Sequence, residues 1–260
     1  MSEKVTLRLG QQSVVIDKGE LVSYQVGGHE FIHQKGSPGW RNADTEMFPI
    51  IGPTNEANFA VQVPRGNAIL DQHGHLREME YTRVSQSETT VSYKKEYTAG
   101  TPVKNSKFPE KSRRQWLMWP YSFEFVKTFL LGKQGLEITF TIGGEKDMPF
   151  MLGYHPAFKV HTDQPIISAA EKYISLDEVL EVGSRALQID DCEKIILEDE
   201  RQLTIQTEGF GHFMLWTEVR NMVCIEPITF YPYAVPQQKL HQGFDYVQSE
   251  PRKFKVKLLP

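Results

Sequence analysis

Cysteine is nearly missing from this chain: of 260 residues only Cys192 and Cys224 carry a thiol. Two isolated thiols form neither a disulfide framework nor a Cys-x-x-Cys knuckle, so a disulfide-stapled scaffold and a zinc ribbon are excluded. Long apolar runs are missing too. No stretch approaches the ~18 apolar residues of a membrane span. The opening Met1-Ser2-Glu3-Lys4-Val5-Thr6-Leu7-Arg8 lacks the apolar segment of a signal peptide. A cytoplasmic protein with no membrane partner is the expectation. There is little excess charge, since 29 Lys and Arg stand against 33 Asp and Glu for a net charge of −4. A nucleic-acid partner is therefore not expected, because it needs a basic face. Neither a GxGxxG nor a GxxxxGK[ST] phosphate cradle is present, and there is no Gly-x-Ser-x-Gly elbow. Hydride transfer, phosphoryl transfer and serine hydrolysis thus have no residue support.

What is present is period-two alternation. Val5, Leu7 and Leu9 alternate with polar residues, as do Leu136, Ile138, Phe140 and Ile142, and again Phe254, Val256 and Leu258. Such stretches read as strands with one face inward and one outward. Turn signals separate them at Gly27-Gly28, Gly132-Lys133-Gln134-Gly135, Gly143-Gly144 and Glu208-Gly209. Helical periodicity is confined to a short stretch around residues 176–187, interrupted by Gly183. With no linker and no internal repeat, residues 1–260 are expected to form a single all-β domain, a sandwich or barrel of antiparallel sheets. The longest irregular stretch, residues 98–120, holds Trp116 and Trp119, which suggests packing over a groove. Within it Lys104, Lys107, Lys111, Arg113 and Arg114 stand against Glu110 alone. The plain reading is a solvated loop; the alternative is a seat for an anionic group such as a sugar phosphate.

Three segments carry groups suited to proton transfer. In Asp71-Gln72-His73-Gly74-His75-Leu76-Arg77, an extended backbone would set His73, His75 and Arg77 on one face. His73-x-His75 is also the opening of a metal site, though no second motif completes it. In Gly153-Tyr154-His155-Pro156-Ala157-Phe158, Pro156 restrains His155 to an extended backbone among apolar neighbours. Met222-Val223-Cys224-Ile225-Glu226-Pro227 reads as a buried strand ending at Pro227. Burial would raise the Glu226 pKa and make it a better base than a surface carboxylate. Cys224 reads as an inert core thiol. A structural histidine and a strand-end glutamate facing water remain the plainer alternatives at each position.

These segments, in this order, resemble the aldose 1-epimerase (galactose mutarotase-like) family, and within it the bacterial branch that includes LacX-like sequences. The resemblance rests on Met47-Phe48-Pro49-Ile50-Ile51-Gly52, His73-Gly74 with Arg77, Gly153-Tyr154-His155-Pro156-Ala157-Phe158 and Cys224-Ile225-Glu226-Pro227. It implies a large antiparallel β-sandwich, a free sugar as small-molecule partner, and interconversion of α and β anomers with no cofactor; no metal is expected, since that reaction needs only proton transfers and the chain offers no clear ligand set. It also implies Glu226 as the base at the anomeric hydroxyl, His155 as the acid at the ring oxygen, and His73 as a sugar-binding group. Where many relatives carry an arginine after the Phe-Pro-x-x-Gly segment, this chain has Pro53. Arg41 or Arg77 is then expected to supply the guanidinium. Trp40, Trp116, Trp119 or Phe158 could stack on the sugar. A non-catalytic carbohydrate-binding or sugar-sensing protein and a phosphosugar epimerase are the alternatives.

Overall fold

Alternation translates directly into sheets. In Phe123–Gly132 the side chains of Phe123, Phe125, Phe129 and Leu131 are buried while Glu124 and Leu130 face out. This strand pairs with Gly135–Gly144 in unbroken antiparallel register through the turn at Gly132 and Gly135. The computed structural model describes residues 4–260; Met1, Ser2 and Glu3, the start of the N-terminal stretch read above, lie outside the described residues. Strands account for 48% of the chain and helical turns for 10%. That helical share is far below the usual third of a globular protein, so the chain is an all-β antiparallel sandwich.

The larger sheet has nine strands. Its centre is the C-terminal strand Arg252–Leu259, which lies between Gln202–Glu208 and Gly135–Gly144. The second sheet is built around Met222–Ile228, flanked by His212–Trp216 on one side and by Gly153–Tyr154 and Ala157–Lys159 on the other. An N-terminal four-stranded sheet runs from Lys4–Leu9 to His29–Glu30. The two main sheets meet through aromatic contacts, with the Phe140 and Tyr154 rings 5.1 Å apart and those of Phe48 and Phe125 5.3 Å apart. The one α-helix among the described residues is Leu176–Val182. Ser175 caps it by accepting the Glu178 N–H at 3.3 Å, while the Glu178 carboxylate takes the Ser175 N–H at 2.7 Å. It ends at Gly183, as the interruption in the sequence suggests.

Three expectations are corrected here. The Glu226 strand does not stop at Pro227 but continues to Ile228, with Phe213 opposite Pro227. A proline is tolerated there because the neighbouring chain leaves the sheet at His155-Pro156, between Gly153–Tyr154 and Ala157–Lys159. Residues 98–120 are not wholly irregular: Val103–Lys104 pairs with Trp116–Leu117 as a short ribbon. The segment holding His73 is a turn followed by a 3₁₀ turn at Leu76–Glu78, not a strand. His73 and Gly74 both adopt positive φ, 68° and 76°, which resets the direction of the chain. His75 is therefore fully buried against Tyr97 and Phe123 and does not share a face with His73.

Inside the sandwich lies a set of buried charges. Lys127 falls on the inward phase of its strand, between Phe125 and Phe129, and is wholly buried. Its ammonium lies 2.7 Å from both the Asp44 and the Glu46 carboxylates, and the Tyr154 hydroxyl donates to Asp44 at 2.7 Å. Asp44 and Glu46 flank Thr45, so the ion triad fixes the strand edge against which the candidate site is built.

Candidate active site

Glu226 and Cys224 share one face of their strand, and Met214 and Trp216 stand opposite them on the neighbouring strand. Val223 and Ile225 point the other way, into the core. This face is the floor of a cavity of about 620 Å³, lined among others by Arg41, His73, Arg77, His155, Trp216 and Glu226. That volume is ample for a monosaccharide, since small-ligand pockets run from roughly 300 to 1,000 Å³.

His155 sits where its chain steps out of the sheet. Its N–H donates to the Thr45 carbonyl at 2.8 Å and its carbonyl accepts the Thr45 N–H at 3.3 Å, so the backbone is held on both sides. The imidazole Nε2 reaches the Glu226 carboxylate at 3.3 Å, with Glu226 almost completely buried and the His155 side chain 25% exposed. Burial pushes the Glu226 carboxyl up to about 8, against a smaller opposing pull from Arg77. The same loss of water pushes His155 down to about 4, with the Arg77 cation adding to the effect. Cys224, beneath them, has its thiol raised well above the usual range by burial and by the Glu226 charge, which leaves it protonated.

His73 enters from the turn. Gly52 N–H donates to its Nδ1 at 3.1 Å, which places the ring proton on Nε2; the Gln72 amide nitrogen 3.1 Å away is itself a donor and does not take that proton. His73 therefore offers the cavity a hydrogen-bond donor. Its ring centroid is 6.3 Å from that of His155. Gly74 is required beside it, because a Cβ there would lie 2.1 Å from the Phe48 carbonyl oxygen. Arg77 follows on the 3₁₀ turn and donates to Thr45 Oγ1 at 3.3 Å. Arg41 lies on the exposed rim, where the Glu218 carboxylate accepts from its guanidinium at 2.7 and 2.9 Å. Of the two arginines, Arg77 is the one whose charge acts on Glu226 and His155 together.

All five residues singled out from the sequence thus line one cavity, from segments more than a hundred residues apart. The aromatic expectation is corrected. Trp119 and Phe158 are core residues and Trp116 is half exposed, while Trp216, Tyr233 and Phe59 line the cavity instead. The Trp216 ring lies 6.0 Å from that of His155. Its only sequence signal is a place on the apolar strand preceding the Glu226 strand. Asp71 and Lys107, 3.5 Å apart, were also not anticipated as neighbours; Asp71 is buried and accepts from Asn105 at 2.8 Å. His73-x-His75 does not form a metal pair, because His75 is in the core.

The aldose 1-epimerase family model matches residues 57–212, well over half of the chain. The chain belongs to the aldose 1-epimerase family. The match holds His73, Arg77 and His155 and stops short of Glu226. A search of curated proteins returns no match. Among solved structures, a galactose mutarotase-like protein from Lactobacillus casei is 16% identical, with 98% of this chain and 99% of that one covered at a TM-score of 0.77. A galactose mutarotase related enzyme from Lactobacillus acidophilus is 18% identical, with 99% and 97% covered at a TM-score of 0.78. A galactose mutarotase-like protein from Clostridium acetobutylicum is 14% identical, with 99% and 94% covered at a TM-score of 0.68. At these identities the likeness establishes the fold. No helix among the described residues is long and apolar enough to cross a membrane.

Proposed function

We propose that this chain, acting as one domain over residues 1–260, interconverts the α and β anomers of an aldose by acid–base ring opening and closure. The observation that carries the reading is a carboxyl and an imidazole 3.3 Å apart on the floor of a sugar-sized cavity. One continuous cluster of buried side chains from Val5 to Leu258 supports the single domain.

Opening a hemiacetal removes a proton from the C1 hydroxyl and delivers one to the ring oxygen. With the sugar over the pair, Glu226 as carboxylate takes the first proton and His155 as imidazolium gives the second. Both groups end neutral. The exposed carbonyl rotates about C1–C2, and closure runs the same transfers backward, with Glu226 returning its proton to the carbonyl oxygen and His155 taking one from the ring hydroxyl. The sugar thus moves one proton from His155 to Glu226 on opening and back on closing. Burial favours the neutral pair over the charged one, so the proton resting on Glu226 first passes to His155 across the 3.3 Å contact, and ring opening returns that cost. His73 Nε2–H and Arg77 are donors to the sugar oxygens, and Trp216 offers an apolar ring face.

Fresh α-glucose or α-galactose followed by anomer-resolved NMR tests the reading. A rate above the buffer reaction supports it. Binding of the sugar without any acceleration would leave a carbohydrate-binding protein in its place.

The pH profile follows from the same pair. Catalysis needs one proton shared between the two groups. Below about pH 4 both are protonated, and above about pH 8 neither is. The expected kcat/KM is flat from about pH 5 to 7 and falls outside the limbs near 4 and 8, which belong to the pair as a unit. A single limb near 6.5, the value of a free histidine, would count against coupling.

A charged substrate is a second reading, favoured by the cavity wall. Lys107, Lys111 and Arg185 line it. Lys107 faces Asp71 at 3.5 Å, while Lys111 and Arg185 have no ion-pair partner among the described residues. If the aldose carries a phosphate, kcat/KM for glucose 6-phosphate is expected to exceed that for glucose by ~10-fold at low salt, shrinking as salt rises. Lys111→Ala with Arg185→Ala should erase the preference. Equal rates for the two sugars would assign the cavity to neutral aldoses.

A further inference from the structure

Outside the cavity and lining none of it, His29, His161 and Glu200 bring three ligand atoms within 4.8 Å of one another. They come from three separate parts of the fold. His29 lies on the last strand of the N-terminal sheet, His161 just past Ala157–Lys159, and Glu200 in the turn joining two strands of the nine-stranded sheet. One Glu200 carboxylate oxygen, Oε2, is 3.4 Å from His161 Nδ1 and 3.8 Å from His29 Nδ1.

The hydrogen bonds around His161 fix what its Nδ1 can be. Its Nε2 lies 2.9 Å from the Glu30 carbonyl oxygen. A carbonyl only accepts, so Nε2 carries the proton, and in the neutral ring Nδ1 is a lone pair. A lone pair and a carboxylate then face each other, and the His29 ring directs its own Nδ1 at the same oxygen. The two rings stack with centroids 4.3 Å apart, and no hydrogen bond to the His29 ring is found among the described residues. The His161 lone pair, the Glu200 carboxylate and, in its Nε2–H tautomer, His29 Nδ1 converge on one point where a cation would fit between them.

We propose that His29, His161 and Glu200 form a site for a divalent transition metal, with zinc as the fitting ion. Ligand bonds of ~2.0–2.2 Å at tetrahedral angles put ligand atoms ~3.3–3.5 Å apart. The two separations to Glu200 therefore need to change by only a few tenths of an ångström. A backbone carbonyl holding the far nitrogen of a ligand histidine is the usual outer partner in such sites, and Glu30 supplies it. The loop bearing His161 is itself fixed, since the Asp199 carboxylate accepts the His161 N–H at 2.6 Å and the Thr162 N–H at 3.0 Å. The Arg201 cation acts on His29 and opposes the ion, but its guanidinium is turned to the Val26 carbonyl at 3.0 Å. The side chains are 9%, 15% and 61% exposed in the order His29, His161, Glu200. The site is therefore reachable and keeps a fourth position for water. Its role is to tie the N-terminal sheet to the larger one, apart from the proton chemistry of the cavity.

His155, Cys224 and Glu226 also group within 4.8 Å, so the test must separate the two places. Zinc is titrated into the full chain against a chromophoric chelator, with stoichiometry and melting temperature read together. The expected result is one zinc per chain for the wild type and for Glu226→Gln, with a rise in melting temperature in both. Glu200→Gln, a surface change that spares the fold, is expected to weaken zinc ~10-fold or more and to cancel the rise. His161→Gln should weaken it at least ~100-fold. Mutarotation should persist after chelation. Zinc held equally well by Glu200→Gln and His161→Gln, zinc lost in Glu226→Gln, or no zinc bound at 100 µM would each overturn the proposal.

Discussion

Replacing Glu226 by glutamine is expected to lower kcat for mutarotation by ~10²–10⁴, the worth of a positioned proton-transfer group. His155→Asn should cost a similar factor. The double variant should lose little more than either single, because the two groups move one shared proton. Stability separates this from mere unfolding. The Glu226 carboxyl is raised from its usual 4.5 to about 8, so its contribution is fully present below the unfolded-state value and is lost as pH rises through about 8. Glutamine is neutral throughout. The variant should melt close to the wild type at pH 5 and above it at pH 8.5. Full activity in Glu226→Gln would remove Glu226 from the chemistry.

A comparably large effect, on stability, is expected at Lys127. Changing it to methionine leaves Asp44 and Glu46 buried without their cation. Breaking a buried ion cluster on one side costs ~3–5 kcal/mol, which for a chain of this size is roughly a 10 °C drop in melting temperature. Removing all three charges together, with Asp44→Asn and Glu46→Gln added, should recover most of the loss. Because Thr45 lies between the two carboxylates and holds His155 from both sides, the surviving Lys127→Met protein should also lose kcat for the proposed reaction while its limbs near pH 4 and 8 remain. A melting temperature within 2 °C of wild type would show that the triad is not a structural strut.

Much of this was legible before any coordinates. Period-two alternation marks a strand because a sheet has two faces, and Leu136 to Ile142 and Phe254 to Leu258 behave accordingly. His155 and Glu226 stood out because charged or polar groups in apolar segments need a partner, and each has the other. Even Lys127 was visible in principle, in phase with Phe125 and Phe129, although its two carboxylates come from a stretch with no pattern. Elsewhere the local pattern misleads for identifiable physical reasons. The face shared by His73, His75 and Arg77 presumed an extended chain, and two consecutive positive-φ residues broke it. Trp216 and the trio of His29, His161 and Glu200 are brought together only by tertiary pairing, which leaves no local trace. Lys107 and Lys111 belonged to the loop flagged for its charge, but its tryptophans pointed to the wrong contact.

The position of Arg252–Leu259 also governs how this molecule can be born. On a ribosome, the strands on either side of it emerge first, and each waits with a row of unpaired backbone groups. The gap closes only when Arg252–Leu259 arrives, joining Leu136 to Leu258 across more than a hundred residues of chain. Closing so long a loop is slow, and until then the nascent sheet presents two open edges that a neighbouring chain could fill. A nascent or clipped chain lacking these eight residues is thus not a smaller version of the protein but two incomplete half-sheets, a natural client for chaperones and proteases.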